Sequence, residues 1–264
     1  MSAGLRVPKL IHDDRELGFL LLEDFGDTTW AHHLASGELQ FVGLDDLFED
    51  ALAQLASLQR STPPVSLPLF DITRMQRECD LYLDWYLPKV AGKLVDNRER
   101  EGFYQAMLPL LEEIEALPYA PVHLDYHSRN LMLPGDELPL GIIDFQDAVS
   151  GPVTYDLASL LYDCYQLYPE PMRQIWSQKF YDSLPAVQRG AFGNSEQWHR
   201  AVRLTAMQRH IKAIGIFVRL AYRDGKQQFL DEIPLTRRHL LEELEYLGLE
   251  QCEYSLLYVA PEQA

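Results

Sequence analysis

Positive charge is scarce in this sequence. It has 23 lysine and arginine residues against 40 aspartate and glutamate residues, which gives a formal net charge of −17 at pH 7. Nucleic acids and anionic membrane surfaces attract proteins through basic patches, so this balance argues against both as partners. An acidic surface suits a cationic small molecule, although it is more often a feature that keeps a protein soluble.

Cysteine and long apolar runs are also scarce. The three cysteines, Cys79, Cys164 and Cys252, lie far apart and match neither a zinc site nor a disulfide framework, which fits a reducing cytoplasm. No apolar run approaches the length of a membrane span, and the N-terminus lacks the basic-then-apolar pattern of a signal peptide. With 264 residues, 47% hydrophobic and 24% charged, we expect an ordinary globular protein of one large domain or one and a half.

The residues that carry chemistry are concentrated in the segment 122–145. Asp125 and Asn130 lie five residues apart in a polar loop, and Asp144 follows a short apolar run. A Pro-Gly-Asp turn at 134–136 separates that run from an earlier apolar segment, which predicts a β-hairpin. The loop and the hairpin together are expected to bring the side chains of Asp125, Asn130 and Asp144 to one end.

This trio has the chemistry that phosphoryl transfer requires. The magnesium ion that accompanies nucleotide phosphates prefers oxygen ligands, which the carboxylate of Asp144 and the amide of Asn130 supply. Asp125, kept off the metal, can accept the proton of an attacking hydroxyl. Any one of these residues alone is better explained as a turn former. The complete pattern, His-x-Asp-x4-Asn followed by a strand that ends in Asp, favours the functional interpretation.

The pattern resembles the aminoglycoside phosphotransferase/choline kinase branch of the protein-kinase-like fold. In that branch the metal-binding Asp is not followed by the Phe-Gly of protein kinases, and here the residues from 144 onward read Asp-Phe-Gln-Asp-Ala. The segments IIDFQDAVSGPVTYDLASLLYD (142–163) and RHIKAIGIFVRLAYRDGKQQFLDEIP (209–234) are similar to the bacterial anomeric sugar kinases that phosphorylate N-acetylmuramate and N-acetylglucosamine. The resemblance runs from about Val7 through nearly the whole chain.

The resemblance implies an α+β, protein-kinase-like fold. Residues 1–27 would form a remnant β-hairpin of the small lobe and the hinge, and residues 28–264 a mostly helical large lobe with the catalytic loop and the substrate site. It further implies ATP and Mg²⁺ as cofactors and a small sugar as the substrate, as in the recycling of cell-wall sugars. Backbone groups near Glu23, Asp24 and Phe25 would bind the adenine, and Asn130 would help to hold the nucleotide.

Several residues are candidates for the substrate side of the site. Trp85 is expected to pack in the core, but stacking against a sugar stays open. Asp147 follows the metal-binding residue closely and is a candidate for contact with metal or substrate. The segment 209–226 has a basic face, which is usually a solvated face. The alternative is recognition of a substrate carboxylate, with Arg219 and Arg223 as candidates because a guanidinium pairs a carboxylate in two places.

The small lobe that this family carries before the hinge is expected to be incomplete. Kinase-like folds place a glycine-rich loop and a phosphate-pairing lysine there. Only about twenty residues precede Glu23, they form no glycine-rich loop, and Lys9 is their only lysine. We therefore expect a hairpin with an exposed edge and an uncovered face, in a truncated or misassigned reading frame or in a reduced member of the family.

Two rival functions stay open at this point. One is an aminoglycoside- or choline-type kinase with a cationic substrate. The other is a non-catalytic binding protein, a pseudokinase descended from such an enzyme. Neither is excluded by the motif, because the motif specifies the ancestral chemistry rather than turnover by this chain.

Local periodicity also predicts the helices that surround the motif. Apolar spacing and end signals give helices at 44–60, 72–86, 97–116, 155–167, 171–183, 196–220 and 236–247, and an N-terminal hairpin from strands at 7–12 and 17–22. Asp156, in the first turn of one of these helices, is expected to have a structural role, because in kinase-like folds the matching residue bonds the catalytic-loop backbone. His123 is expected to brace the loop rather than to carry protons.

Overall fold

The computed structural model describes residues 4–36 and 42–249. The strands in these ranges are β1 (Leu10–Asp14), β2 (Phe19–Leu22), β3 (Tyr119–Val122), β4 (Leu131–Met132), β5 (Gly141–Ile142) and β6 (Val149–Pro152). The α-helices in the same ranges are α1 (Trp30–Ser36), α2 (Leu44–Arg60), α3 (Ile72–Leu81), α4 (Leu87–Lys89), α5 (Asn97–Glu115), α6 (Tyr155–Leu161), α7 (Glu170–Ser183), α8 (Ala186–Gly190), α9 (Ser195–Asp224) and α10 (Ile233–Tyr246). The architecture is therefore mostly helical, with short paired strands.

The N-terminal hairpin forms as predicted, but its turn lies later in the chain. β1 pairs antiparallel with β2, and Asp14 lies opposite Phe19, so the turn occupies residues 15–18 rather than 13–16. Gly18 supplies the positive φ of 75° that such a tight turn needs. The apolar side chains of both strands face outward, and Phe19 and Leu20 are 68% and 63% exposed. The expected uncovered face is therefore present in the structure.

Helix α2 has the predicted bounds and one buried face. Leu47, Phe48 and Leu55 are fully buried on that face. Phe48 stacks on Trp176 of α7 with ring centroids 3.5 Å apart. The helix starts after Gly43, whose amide donates to the Asp46 carboxylate at 3.2 Å, which is one of the two hydrogen bonds of a capping box. The bounds of this helix could be predicted because the residues at its start and its apolar face lie in the same short stretch of sequence.

The predicted single helix at 72–86 is interrupted. The α-helix ends at Leu81, a π-helical turn covers Tyr82–Tyr86, and α4 continues through Pro88 to Lys89. At this point α9 crosses the chain so closely that a Cβ on Gly215 would lie 2.3 Å from the carbonyl carbon of Leu81. The π-helical turn therefore lies where the backbones of two elements touch. The spacing of apolar residues within one helix cannot predict such a contact.

Helices α6 and α9 differ from their predicted lengths. The prediction of a helix to residue 167 is wrong, because α6 ends at Leu161. Just beyond it, the Asp163 carboxylate accepts the amides of Ser128 and Tyr165, both at 2.8 Å, and this turns the chain away. Helix α9 is longer than predicted and ends at Gly225, a C-cap with φ of 72°.

The hairpin of β4 and β5 positions the motif. Leu131 pairs with Ile142 and Met132 with Gly141, and a 3₁₀ turn at Pro134–Asp136 joins the strands as the Pro-Gly-Asp signal predicts. The Ile143 amide donates to the Asn130 carbonyl at 3.2 Å, so Asn130 lies beside the residue that precedes Asp144. In the described ranges, no helix is both long and apolar enough to cross a membrane.

Candidate active site

The catalytic loop is fixed to the large lobe by Asp156. Its fully buried carboxylate accepts the His123 amide at 2.6 Å and the Leu124 amide at 3.0 Å. Leu124 has a φ of 79°, a strained conformation that the two hydrogen bonds help to hold. Burial raises the pKa of Asp156 to about 6, although the nearby His123 and both amides act to lower it. The expected structural role of Asp156 is confirmed.

His123 braces the loop against the hairpin, as predicted. Its Nδ1 accepts the Asp125 amide at 3.3 Å, and its Nε2 lies 2.9 Å from the Ile143 carbonyl oxygen. A carbonyl can only accept, so Nε2 carries the proton and Nδ1 is bare. The imidazole thus links Ile143, which precedes Asp144, to Asp125, the predicted base.

Asp125 is half-buried and is held in its ionised form. Burial acts to raise the pKa of its carboxyl, but electrostatic interactions, first with Lys212 and then with His127 and Arg209, lower the pKa below its ordinary value. A general base has to be ionised before it can take a proton. The electrostatic surroundings therefore fit the role that the sequence predicts for Asp125.

Asn130 and Asp144 present oxygen donors of the kind that magnesium prefers. The Asn130 Nδ2 donates to the Asp125 carbonyl at 3.0 Å, which leaves the amide oxygen free for a cation. Asp144 is exposed with a φ of 67°, and one carboxylate oxygen accepts the Gln146 amide at 2.8 Å. In the described ranges no group of three or more His, Cys, Asp or Glu side chains could hold a metal ion by itself. A metal here would therefore depend on the Asn130 amide and on ligands from the nucleotide as well.

The predicted hinge segment uses its side chains for local structure. Arg6 donates twice to the Glu23 carboxylate, at 2.8 and 2.9 Å, and lowers the pKa of Glu23 to about 2. Asp24 accepts the Gly26 amide at 2.8 Å. Phe25 is buried against β5, where a Cβ on Gly141 would lie 2.4 Å from its ring. Adenine binding by this segment would therefore use backbone groups, and it stays a prediction.

The predicted substrate residues are spread over several places. Trp85 is half-buried in the π-helical turn and packs against the core. Asp147 is exposed, three residues past Asp144. Arg223 is exposed and pairs with its neighbour Asp224, and the half-buried Arg219 has no partner for Nε among the described residues. Along α9, Arg219 and Arg223 lie ~10 and ~16 Å beyond Lys212, because each helical residue adds about 1.5 Å.

The explanation of the basic face as solvated is wrong for Arg209 and Lys212. Arg209 is 7% exposed, and the Lys212 side chain is 15% exposed. The Lys212 ammonium donates to the Tyr155 hydroxyl at 3.2 Å and lies 3.5 Å from the Glu78 carboxylate of α3. Local sequence does not reveal this cluster, because its members come from three helices far apart in the chain. The sequence does show that Arg209 and Lys212 are three residues apart and therefore lie on the same face of the helix.

Arg129 ties the catalytic loop to the chain just before α10. Its guanidinium lies 3.6 Å from the centroid of the Tyr165 ring and pairs with Glu232. Asp163 holds the preceding Ser128 amide, as described above. The loop is thus held on several sides by residues that follow it in the sequence.

The sequence of this chain matches a known family. The model of the phosphotransferase enzyme family matches residues 2–189, which is more than half of the chain. The chain belongs to this family. The N-acetylmuramate/N-acetylglucosamine kinase of Pseudomonas aeruginosa is 36% identical over 244 residues, which cover 90% of this chain and 69% of that protein. The Neisseria meningitidis kinase of the same name is 34% identical over 241 residues, which cover 89% and 70% of the two chains.

Solved structures of the phosphotransferase enzyme family and its kinase relatives share the fold. A choline/ethanolamine kinase family protein from Mesorhizobium loti superposes with a TM-score of 0.62 at 14% identity, covering 97% of this chain and 79% of that one. The ADP-bound aminoglycoside phosphotransferase APH(2'')-Ib gives a TM-score of 0.56 at 16% identity, covering 91% and 77%. Likeness at this level of identity shows the fold alone. The predicted α+β, protein-kinase-like fold with a mostly helical large lobe is confirmed.

Proposed function

We propose that this chain transfers the γ-phosphate of ATP to the anomeric hydroxyl of a small amino sugar, N-acetylmuramate or N-acetylglucosamine. The observation that carries the proposal is the ionised, half-buried Asp125 in a loop that Asp156 fixes, with Asn130 bonded to its carbonyl. The substrate class is supported by the names of relatives that are 34–36% identical. The division into a hairpin and hinge at 1–27 and a large lobe at 28–264, and a cytoplasmic location, belong to the same proposal.

Asp125 would act as the general base. As the sugar hydroxyl oxygen forms its bond to the γ-phosphorus, its proton passes to the Asp125 carboxylate. The bond between the γ-phosphorus and the bridging oxygen breaks, and ADP leaves with the electron pair. His123 and Asp156 contribute by holding the loop backbone in place, since a small displacement of the base lowers the rate strongly.

Asn130 and Asp144 are the residues that would hold Mg²⁺. The free amide oxygen of Asn130 and the exposed carboxylate of Asp144 fit a hard cation that prefers oxygen. When bound, the ion neutralises charge on the phosphates that would otherwise repel the incoming hydroxyl.

The charges around Asp125 favour a neutral or anionic acceptor over a cationic one. Arg209 and Lys212 place two permanent positive charges close enough to lower the pKa of Asp125. An aminoglycoside or choline would bring its positive charge near Arg209, which, unlike Lys212 beside Glu78, has no ion pair among the described residues, and like charges repel. This local field opposes the overall negative charge of the chain, on which the cationic alternative rested.

A substrate panel tests the proposal. ADP release is measured with ATP and Mg²⁺ against N-acetylmuramate, N-acetylglucosamine, kanamycin and choline, with the Asp125→Asn variant as the control for background hydrolysis. We expect release with the two amino sugars, and ³¹P NMR of the product should show an acid-labile glycosyl phosphate. Transfer to kanamycin or choline alone would contradict the proposal. Calorimetry that shows sugar binding but no binding of ATP with Mg²⁺ would instead support the pseudokinase alternative.

A further inference from the structure

Arg209 is buried on α9 over the Tyr155 ring and has unused hydrogen-bond donors. Only 7% of the residue is exposed, and its Nε and Nη1 have no hydrogen-bond partner in the described part of the chain. Its Cζ lies 5.2 Å from the centroid of the Tyr155 ring. An arginine stays charged at any physiological pH, so buried guanidinium donors without partners are unfavourable unless another group completes them.

Lys212, one turn along the same helix, differs in this respect. Its ammonium donates to Tyr155 and lies beside Glu78, and Glu78 also accepts from Gln208 at 3.1 Å. Lys212 is therefore satisfied within the protein. Both cations lower the pKa of Asp125, so both lie within electrostatic reach of the reacting hydroxyl. Of the two, Arg209 is the one whose donors stay available for a ligand.

The geometry of the Arg209 donors indicates which chemical group would bind them. A guanidinium is a planar fork that binds a carboxylate at two points, and a partly desolvated site strengthens such charged hydrogen bonds. The carboxylates that raise the pKa of Arg209, Asp125 and Asp156, act through their charge. Asp156 is already bonded to two backbone amides, and Asp125 has to stay available for its proton.

We infer that Arg209 binds a carboxylate on the acceptor sugar and sets the preference between acidic and neutral amino sugars. This inference rests on the proposed function. N-acetylmuramate carries a lactyl carboxylate on the ring that bears the reacting hydroxyl, and N-acetylglucosamine has a plain hydroxyl at that position. The neutral sugar is thus an internal control, because it uses the same base without the group that Arg209 would bind.

The test measures sugar binding by calorimetry with ADP and Mg²⁺ present, and turnover of both sugars at saturating ATP. We expect Arg209→Gln to weaken N-acetylmuramate binding about ten- to a hundred-fold and N-acetylglucosamine binding by less than about threefold. Arg209→Lys keeps the charge but loses the fork, so it provides a folded variant with a smaller loss confined to N-acetylmuramate. Arg200→Gln, on the same helix, removes a surface ion pair with Glu113 and should leave both affinities unchanged.

The outcomes separate this inference from the proposed function. An equal loss for both sugars in the Arg209 variants would overturn the inference, because the guanidinium would then serve the fold or the nucleotide phosphates. If the unaltered protein bound neither sugar, the proposed function would be wrong and the inference with it. If the unaltered protein bound and phosphorylated both sugars while Arg209→Gln kept their ratio, the inference alone would fail.

Discussion

Gly215 of α9 lies directly against the backbone of Leu81, and a Cβ at position 215 would be 2.3 Å from the Leu81 carbonyl carbon. A glycine inside a helix ordinarily costs stability relative to alanine, because it has more conformational freedom to lose. Here a residue without a side chain is required, because the contacting atoms belong to the Leu81 backbone, which cannot move aside as a flexible side chain does.

Gly215→Ala is therefore expected to destabilise the protein, against the usual trend for helices. Forcing an extra methyl into a packed contact costs about 1–3 kcal/mol, more than the ~1 kcal/mol that alanine returns. Gly102, inside α5 with nothing within 4 Å of its added Cβ, is the matched control, and Gly102→Ala should be stabilising. Urea unfolding of both variants measures the difference. A Gly215→Ala protein as stable as the unaltered one would show that α9 can shift away from Leu81.

Asp125→Asn should remove the base while leaving the sugar site intact. The asparagine has nearly the same shape but cannot take the proton, so we expect kcat to fall ~10²–10⁴-fold with KM for the sugar little changed. Asp136→Asn, on an exposed turn residue, is the control and should retain full activity. An Asp125→Asn enzyme with an unchanged kcat would exclude Asp125 as the base.

Asp144→Asn should raise the Mg²⁺ concentration that gives half-maximal activity. The substitution keeps an oxygen but removes the negative charge, which weakens binding of a hard divalent cation. Titration of activity with Mg²⁺ at fixed ATP measures the change, with the exposed Asp182→Asn of α7 as the control. If the Asp144→Asn titration matched that of the unaltered enzyme, the assignment of Asp144 as a metal ligand would be wrong.

Lys212→Met should shift the acidic limb of the pH–rate profile to higher pH. Burial raises the pKa of Asp125, and Lys212 is the strongest of the charges that oppose it. Without that ammonium the pKa of Asp125 rises, so the base becomes protonated earlier as the pH falls and kcat/KM declines at a higher pH. Lys179→Met, which removes a surface ion pair with Glu49 at 2.9 Å, should leave the limb in place.

His210 should make stability depend on pH on the alkaline side. Burial acts to lower its pKa, but the Glu243 carboxylate, 2.7 Å from Nδ1, outweighs this and raises the pKa to about 10. Because the folded pKa exceeds the ordinary value of ~6.5, the contribution of His210 is complete below about pH 6.5 and disappears as the pH rises toward 10.

Unfolding free energies between pH 6 and 10, compared between the unaltered protein and His210→Asn, isolate this effect. The unaltered protein should lose stability over the range relative to the variant. His12→Asn, at an exposed position, should follow the unaltered protein. Parallel curves for His210→Asn and the unaltered protein would mean that His210 is neutral in the folded state.

The features that could be predicted from the sequence are those whose cause is local. The cap and apolar face of α2 lie within one stretch, and the hairpin that carries Asn130 and Asp144 follows from a Pro-Gly-Asp turn between apolar runs. The early end of α6 could not be predicted, because Asp163 acts by holding Ser128, which lies 35 residues away.

For the same reason, local sequence could not show which basic residue of α9 is buried near the catalytic loop. Arg209, Arg219 and Arg223 look equivalent in the sequence, and the guanidinium fork alone gives no way to rank them. Arg209 is buried with its guanidinium over the Tyr155 ring of α6, whereas Arg223 is exposed. Which cation lies next to Asp125 is therefore decided by tertiary contacts.

The link between Arg129 and Glu232 has a consequence for how the protein is made. The catalytic loop is complete in the nascent chain by residue 130, but Arg209, Lys212 and Glu232 are synthesised much later. While residues 209–232 are still inside the ribosome, the loop lacks Arg209 and Lys212, which act on Asp125 in the folded protein, and the partner that orients Arg129. The proposed catalytic site is therefore completed only late in the synthesis of the chain.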